Sequence, residues 1–147
     1  DRLENKLKAM MSLKKTKKED FMELKKLDGS FSVCKVVDYS MVNLNSTYCF
    51  IGKTDEENSL VCLQEEVPEN TIEREDHWKA FRIQGILDFS LIGILSEIST
   101  LLAKKSIGIF AISTYNTDYI LMKEEQFENA VRILAEAAIV SCDDIIP

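Results

Sequence analysis

Two prolines and five glycines in 147 residues leave no stretch loose enough for a long flexible linker. The chain is therefore expected to fold as one domain or two small ones, burying about two-thirds of its unfolded surface. No apolar run approaches the roughly 20 residues a membrane helix needs, and no secretory signal opens the sequence. Metal-ligand spacing is missing too. Cys34, Cys49, Cys62 and Cys142 form no CxxC pair. Each sits in an apolar run ("SVCKVV", "YCFIG", "LVCLQ", "IVSC") where a thiol behaves as a small hydrophobe. Reduced core thiols in a cytoplasmic protein are the expectation, with disulfides the alternative.

Catalytic signatures are equally scarce. The sequence has no GxGxxG, no phosphate-binding loop and no HExxH, and its one histidine is His77, between Asp76 and Trp78. No local pattern pairs His77 with a nucleophile, so it is expected to be a surface or packing residue. Glu73, Glu75 and Asp76 lack the alternation and turn glycine of a calcium loop and read as a solvated segment. Trp78 and Phe81 read as core or interface residues, with an aromatic pocket wall as the alternative. Neither a catalytic residue, a metal site nor a cofactor is expected.

Charge is divided unevenly. Residues 1–27 hold nine Lys/Arg against five Asp/Glu, a net +4, while residues 28–147 hold nine against twenty, a net −11. So acidic a body repels phosphate backbones, and no nucleic-acid partner is expected. Within the basic segment Leu3, Leu7 and Met10 or Met11 recur at helical spacing. Phe21, Leu24 and Leu27 form a second weak stripe, and "KKTKK" (14–18) interrupts the two. A solvated helix or arm suits this thin apolar face, and no membrane contact is expected. Asp28-Gly29-Ser30 then supplies turn chemistry.

From Phe31 the period changes. "FSVCKVVD" (31–38), "STYCFIGK" (46–53) and "SLVCLQEE" (59–66) read as strands, with "TDEEN" (54–58) as a hairpin loop. "VPENTIEREDHW" (67–78) reads as a connection, since Pro68 opposes a central strand and Asn70 with Glu73 could cap a helical turn. "KAFRIQGIL" (79–87) is a strand. After Ser90, a good N-cap, Leu91, Leu95, Ile98 and Leu102 form one helix face ending at Lys104 and Lys105. "IGIFAIST" and "DYILMK" follow as strands around a polar joint, Ser113–Asp118. A helix over 124–137 and a strand over 138–142 close the pattern. From residue 79 the order is strand, helix, strand, strand, helix, strand, the ferredoxin-like βαββαβ arrangement of an α+β fold.

The stretch "DFSLIGILSEISTLLAKKSIGIFAISTYNTDYILMKEEQFENAVRIL" resembles an ACT domain, the small-molecule regulatory module of amino-acid metabolism. Asp88 to Gly93 looks like the family's loop from first strand to first helix. Ile107–Thr114 is similar to the second strand of the aspartate kinase regulatory domains, and Asn116-Thr117-Asp118 falls where that family places ligand contacts. The longer run from Ser30 to about residue 142 resembles small bacterial proteins with paired ACT-like halves, and more distantly the arginine-sensing ACT proteins. The resemblance implies tandem ACT-like halves: a basic helical segment at 1–28, a half at 29–79, and an ACT domain at 80–147. The first half is expected to be degenerate, because "YSMVNLN" (39–45) is too short for the first helix. Ile92 stands where the family often has Pro. Lys105-Ser106-Ile107 replaces the common Ala-Gly-Ile, so that helix end is expected to differ in detail.

What the residues could do chemically follows. The amides of Leu91, Ile92 and Gly93 at a helix start could cradle an α-carboxylate, and Gly93 would admit close approach. Asp88 or Asp118 could receive an α-ammonium, and Ser113, Thr114, Asn116 and Thr117 could add directional hydrogen bonds. Helix capping alone would equally explain Asp88 and Ser90, and turn formation would equally explain Asn116 and Asp118. The expectation is a non-catalytic regulatory protein binding a small amino acid between ACT halves or between the subunits of a homodimer. The alternative is an assembly module that pairs through its sheet edges without a ligand.

Overall fold

The computed structural model of the chain describes residues 2–6, 23–84, 91–136 and 145–146. The expected strand at 138–142, the "KKTKK" run and the loop residues Asp88 and Ser90 lie outside them. Residues 2–6 are helical. The sheet strands are β1 (Glu23–Lys26), β2 (Phe31–Val36), β3 (Cys49–Lys53), β4 (Asn58–Leu63) and β5 (Thr71–Gln84). They continue with β6 (Phe110–Ser113), β7 (Asp118–Lys123) and the short β8 (Ile145–Ile146). Helices α1 (Leu91–Lys104) and α2 (Glu124–Glu136) belong to the second half, and one 3₁₀ turn (Gln64–Glu66) follows β4.

The 14-residue β5 organises the sheet. Its first part pairs antiparallel with β2, from Val36↔Thr71 to Phe31↔Trp78. Its second part pairs with β1 on the same edge, from Lys26↔Phe81 to Glu23↔Gln84, and with β7 on the other edge, where Phe81 faces Ile120. β1 and β2 are thus one line of chain along β5, broken by the bend at Asp28–Ser30. In the first half the spatial order is β3-β4-β2-β5, all antiparallel. That is the strand order of a ferredoxin-like unit, with a loop and a 3₁₀ turn where the helices belong. In the second half β6-β7-β5 repeats it with both helices present. The place of its fourth strand beside β5 is taken by β1, and β8 pairs parallel to β1 from outside. A single strand therefore serves both halves.

Two expectations change here. Glu23–Lys26 is a strand and not the end of a helical segment, because Leu24 is fully buried against the helices through cross-strand pairing with Ile83. Residues 71–78 are strand and not connection, because Pro68 precedes the pairing and costs no ladder bond. Asn70, read as a helix cap, instead donates its side-chain amide to the Asp38 carbonyl at 3.2 Å.

Three apolar clusters hold the fold. α1 and α2 bury Ile94, Ile98, Leu102, Phe127 and Leu134 against Phe81, Ile83, Ile120 and Met122. Each fully buried Leu or Ile side chain there contributes about 1.5–3 kcal/mol. The opposite face carries Leu27, Phe31, Val61, Ala80 and Leu121, with Phe50, Trp78, Phe110 and Tyr119 against them. Phe50 of β3 and Tyr119 of β7 have ring centroids 5.0 Å apart, although β4, β2 and β5 lie between their strands. A flat sheet would separate those strands by about 19 Å. The sheet is therefore curled, and this second cluster fills its inside. On the outer face of the first half Cys34, Val36, Leu60 and Cys62 are covered by Tyr39, Val42 and Val67 from the segments that replace helices. The Tyr39 hydroxyl donates to the Ser59 carbonyl at 3.0 Å and pins that cover in place.

Among the described residues two that are not glycine adopt the left-handed conformation, and both mark special joints. His77 (φ 66°) sits where Ser32 of β2 faces both Asp76 and His77 of β5, a bulge, and its freed amide donates to Gln64 Oε1 at 2.9 Å. Ser106 (φ 59°) ends α1. Its amide donates to the Ala103 carbonyl and that of Ile107 to the Leu102 carbonyl, both at 3.0 Å. This is a Schellman ending. The motif expected with glycine is thus formed with serine in the same conformation.

Candidate functional site

β5 and β6 both run antiparallel to β7, so their carboxyl ends lie together. α1 carries the chain from the end of β5 back to the start of β6, which brings its amino terminus to the same end of the sheet. Leu91, Ile92 and Gly93 are its first three residues. Their amides have no acceptor within the helix, and the helix dipole makes that end partially positive. Gly93 is exposed, and a methyl group built on it meets nothing within 4 Å. Packing therefore does not require glycine there.

The polar joint is a tight four-residue turn. The Thr114 amide donates to the Thr117 carbonyl at 2.8 Å, and the Thr114 hydroxyl donates to the same carbonyl at 2.9 Å. Ser113 Oγ donates to Asp118 Oδ1 at 2.5 Å across the pair that opens the turn, and Asp118 is buried. The Thr117 hydroxyl donates to the Ile83 carbonyl at 2.6 Å and ties the turn to the end of β5. Side-chain hydrogen bonds thus replace the Asn-Gly pair this hairpin lacks. Tyr115 and Asn116 stand outward into solvent.

The first half repeats this arrangement. Thr54–Glu57 makes the same turn, with the Thr54 amide donating to the Glu57 carbonyl at 3.0 Å. Asn58 Nδ2, one residue past the turn, donates to the Val37 carbonyl at 2.8 Å and so also ties this turn to the strand beside it. A sequence signal for the repeat exists and is easily missed: Asp38-Tyr39-Ser40-Met41-Val42 parallels Asp88-Phe89-Ser90-Leu91-Ile92. Asp38 Oδ1 accepts hydrogen bonds from the Ser40 hydroxyl (2.5 Å), the Ser40 amide (3.0 Å) and Asn70 Nδ2 (3.0 Å). The Ser40 hydroxyl and amide hold this carboxyl below its ordinary pKa. In the first half Asp38 therefore takes up the donors of Ser40, the counterpart of Ser90, while the Val42 amide donates to the Tyr39 carbonyl.

His77 Nδ1 lies 3.7 Å from Glu124 Oε2, and both side chains are largely exposed. Among the described residues no group of three or more His, Cys, Asp and Glu side chains could hold a metal ion. Among them, too, no helix is long and apolar enough to cross a membrane. Phe81 is wholly buried, and Trp78 packs inside the curl beneath the Lys123 ammonium, 4.6 Å from the ring centroid.

A family model for the ACT domain matches residues 73–136. That part of the chain matches the ACT domain family. The chain is similar to a protein from Agobacterium tumefaciens, with 29% identity, 80% of this chain and 90% of that one covered, and a TM-score of 0.69. Its fold is also that of the Clostridium acetobutylicum aspartate kinase over 80% of this chain and 34% of the enzyme (15% identity, TM-score 0.57). A proposed C-terminal regulatory domain of aspartate kinase from Porphyromonas gingivalis is matched over 82% of this chain and 99% of that domain (11% identity, TM-score 0.54). A comparison with curated protein sequences finds no significant match. The ACT fold is thus α+β and ferredoxin-like, as its helix and strand order led one to expect.

Proposed function

We propose that the protein is a regulatory ACT module, not an enzyme, and that it binds a small amino acid at the end of the sheet where α1 begins. Residues 29–79 and 80–147 act in this reading as two ACT-like halves, of which the second keeps the ligand end. What supports it is that α1 starts at the end of the sheet where β5 and β6 finish, the end at which the Thr117 hydroxyl ties the turn to the Ile83 carbonyl. The helix start suits a carboxylate, and Asp118 with the turn carbonyls suits an ammonium group. In the first half no helix follows β2 among the described residues and so no helix start faces that end, and one ligand per chain is expected at this type of site. Likeness of fold to regulatory domains of aspartate kinase supports a role in control over one in catalysis.

Calorimetry and melting against each of the twenty amino acids test this. Ligand at 100 times its Kd raises stability by about 2.7 kcal/mol. The sharper test is Gly93→Leu. A β-carbon there meets nothing within 4 Å, and loss of glycine from a helix favours the fold by about 0.5–1 kcal/mol. The expected variant is folded and deaf to the ligand; retained binding would remove the site from this end.

A second reading rests on the sheet edges. Among the described residues β6 pairs only with β7 and β3 only with β4. Pairing of copies along either edge would give a homodimer, visible in sedimentation as a mass that depends on concentration and not on amino acids.

A further inference from the structure

Away from the α1 end, a concavity of about 390 Å³ opens between Gly29 and Ser30 in the β1–β2 bend, Leu63, Gln64 and Glu65 at the end of β4, and Arg74 on β5. It lies where the two halves diverge. After β7 the chain enters α2 at once, whereas after β4 the corresponding residues make one 3₁₀ turn and stop. The concavity opens beside that turn.

Its polar groups are held in place from behind. Arg74 Nε donates to Asp76 Oδ1 at 3.0 Å, and the same oxygen accepts from Ser32 Oγ at 2.6 Å, with Ser32 wholly buried. The guanidinium is fixed at its root, and among the described residues its two terminal nitrogens have no hydrogen-bond or ion-pair partner. Gln64 is fixed as well: its Oε1 takes the amide that the His77 bulge frees, which leaves Nε2 as a donor. Glu65 stands exposed at the rim. Oriented guanidinium nitrogens match a carboxylate two-on-two. An acidic neighbour disfavours a plain anion, as does the net −11 of residues 28–147, but both suit a zwitterion.

We infer that this pocket is a second binding site, for a free amino acid, whose carboxylate lies on the Arg74 terminal nitrogens and the Gln64 amide and whose ammonium faces Glu65. It does not depend on the α1 site. Amide and side-chain NMR shifts of the full chain, titrated with glycine, L-glutamate, acetate and inorganic phosphate, test it. Glycine and glutamate are expected to move the signals of Gly29, Gln64 and Arg74 Nε, with acetate weaker and phosphate weakest. Arg74→Gln should weaken glycine binding at these signals at least tenfold, and Arg74→Lys should give an intermediate loss. Glu65→Gln alters an exposed side chain and serves even if Arg74→Gln unfolds; it should weaken glycine several-fold and leave acetate unchanged. Shifts confined to residues 91–93 and 113–118, abolished by Gly93→Leu and indifferent to Arg74 and Glu65, would overturn this site and leave the α1 site standing. Phosphate binding more tightly than glycine, or no shift at Gly29 and Gln64, would also overturn it.

Discussion

Replacing Ser106 with glycine should stabilise the protein. Ser106 follows α1 at φ 59°, with its own amide and that of Ile107 both bonded back into the last turn. Its side chain is exposed, so no packing is lost with it. An L-residue in the left-handed region costs about 1–2 kcal/mol. Glycine removes that cost but brings roughly 0.5–1 kcal/mol of extra chain entropy to lose on folding. The difference favours glycine by about 0.5–1 kcal/mol. For a chain of this size that raises Tm by about 2 °C. Urea unfolding of Ser106→Gly should show a higher midpoint with an unchanged slope. Ser106→Ala, which keeps the β-carbon, should stay within about 0.5 kcal/mol of the parent. A glycine variant no more stable than the alanine variant would refute the left-handed ending.

Three other outcomes follow from the interior and the charges. Leu121→Ala, inside the curl and wholly buried, should cost about 3 kcal/mol, read by urea unfolding; a loss under 1 kcal/mol would mean the two faces do not close over it. Asp76 is held below its ordinary pKa of 3.8 by the Ser32 hydroxyl and then by Arg74. Its contribution is therefore complete above that value and fades as pH falls through the lower folded one. Between pH 7 and pH 3 the parent should lose more stability than Asp76→Asn, and parallel losses would refute the pairing. Cys34 and Cys62 are buried and Cys49 is partly exposed. Peptide mapping after iodoacetamide should find Cys49 modified first and the other two only on unfolding.

The second half was readable in the sequence because its elements are amphipathic at one clear period. Leu91 to Leu102 marks a helix, and strict strand character runs through "DYILMK". The first part of β5 was not readable, because Ile72 to Asp76 is largely solvated and its strand state comes from pairing with β2. Leu24 and Leu27, three apart, imitate a helical stripe; the Asp28–Ser30 bend turns that spacing into strand and corner. Of the candidate site, the turn residues Ser113, Thr114, Thr117 and Asp118 were legible as polar, but their bonding to one another and to Ile83 depends on the pairing of β5, β6 and β7. The Arg74 pocket left no mark in the sequence: its walls come from segments as far apart as Gly29 and Arg74.

One consequence of β5 serving both halves concerns how the molecule comes apart. A cut near residue 79 would leave β2 its partner at 71–78 but part β1 from 81–84 and shorten the strand beside β7, so neither piece inherits a finished sheet. The chain should unzip as a single body, and the kink at His77 is the natural pivot through which a pull on one end is felt at the other.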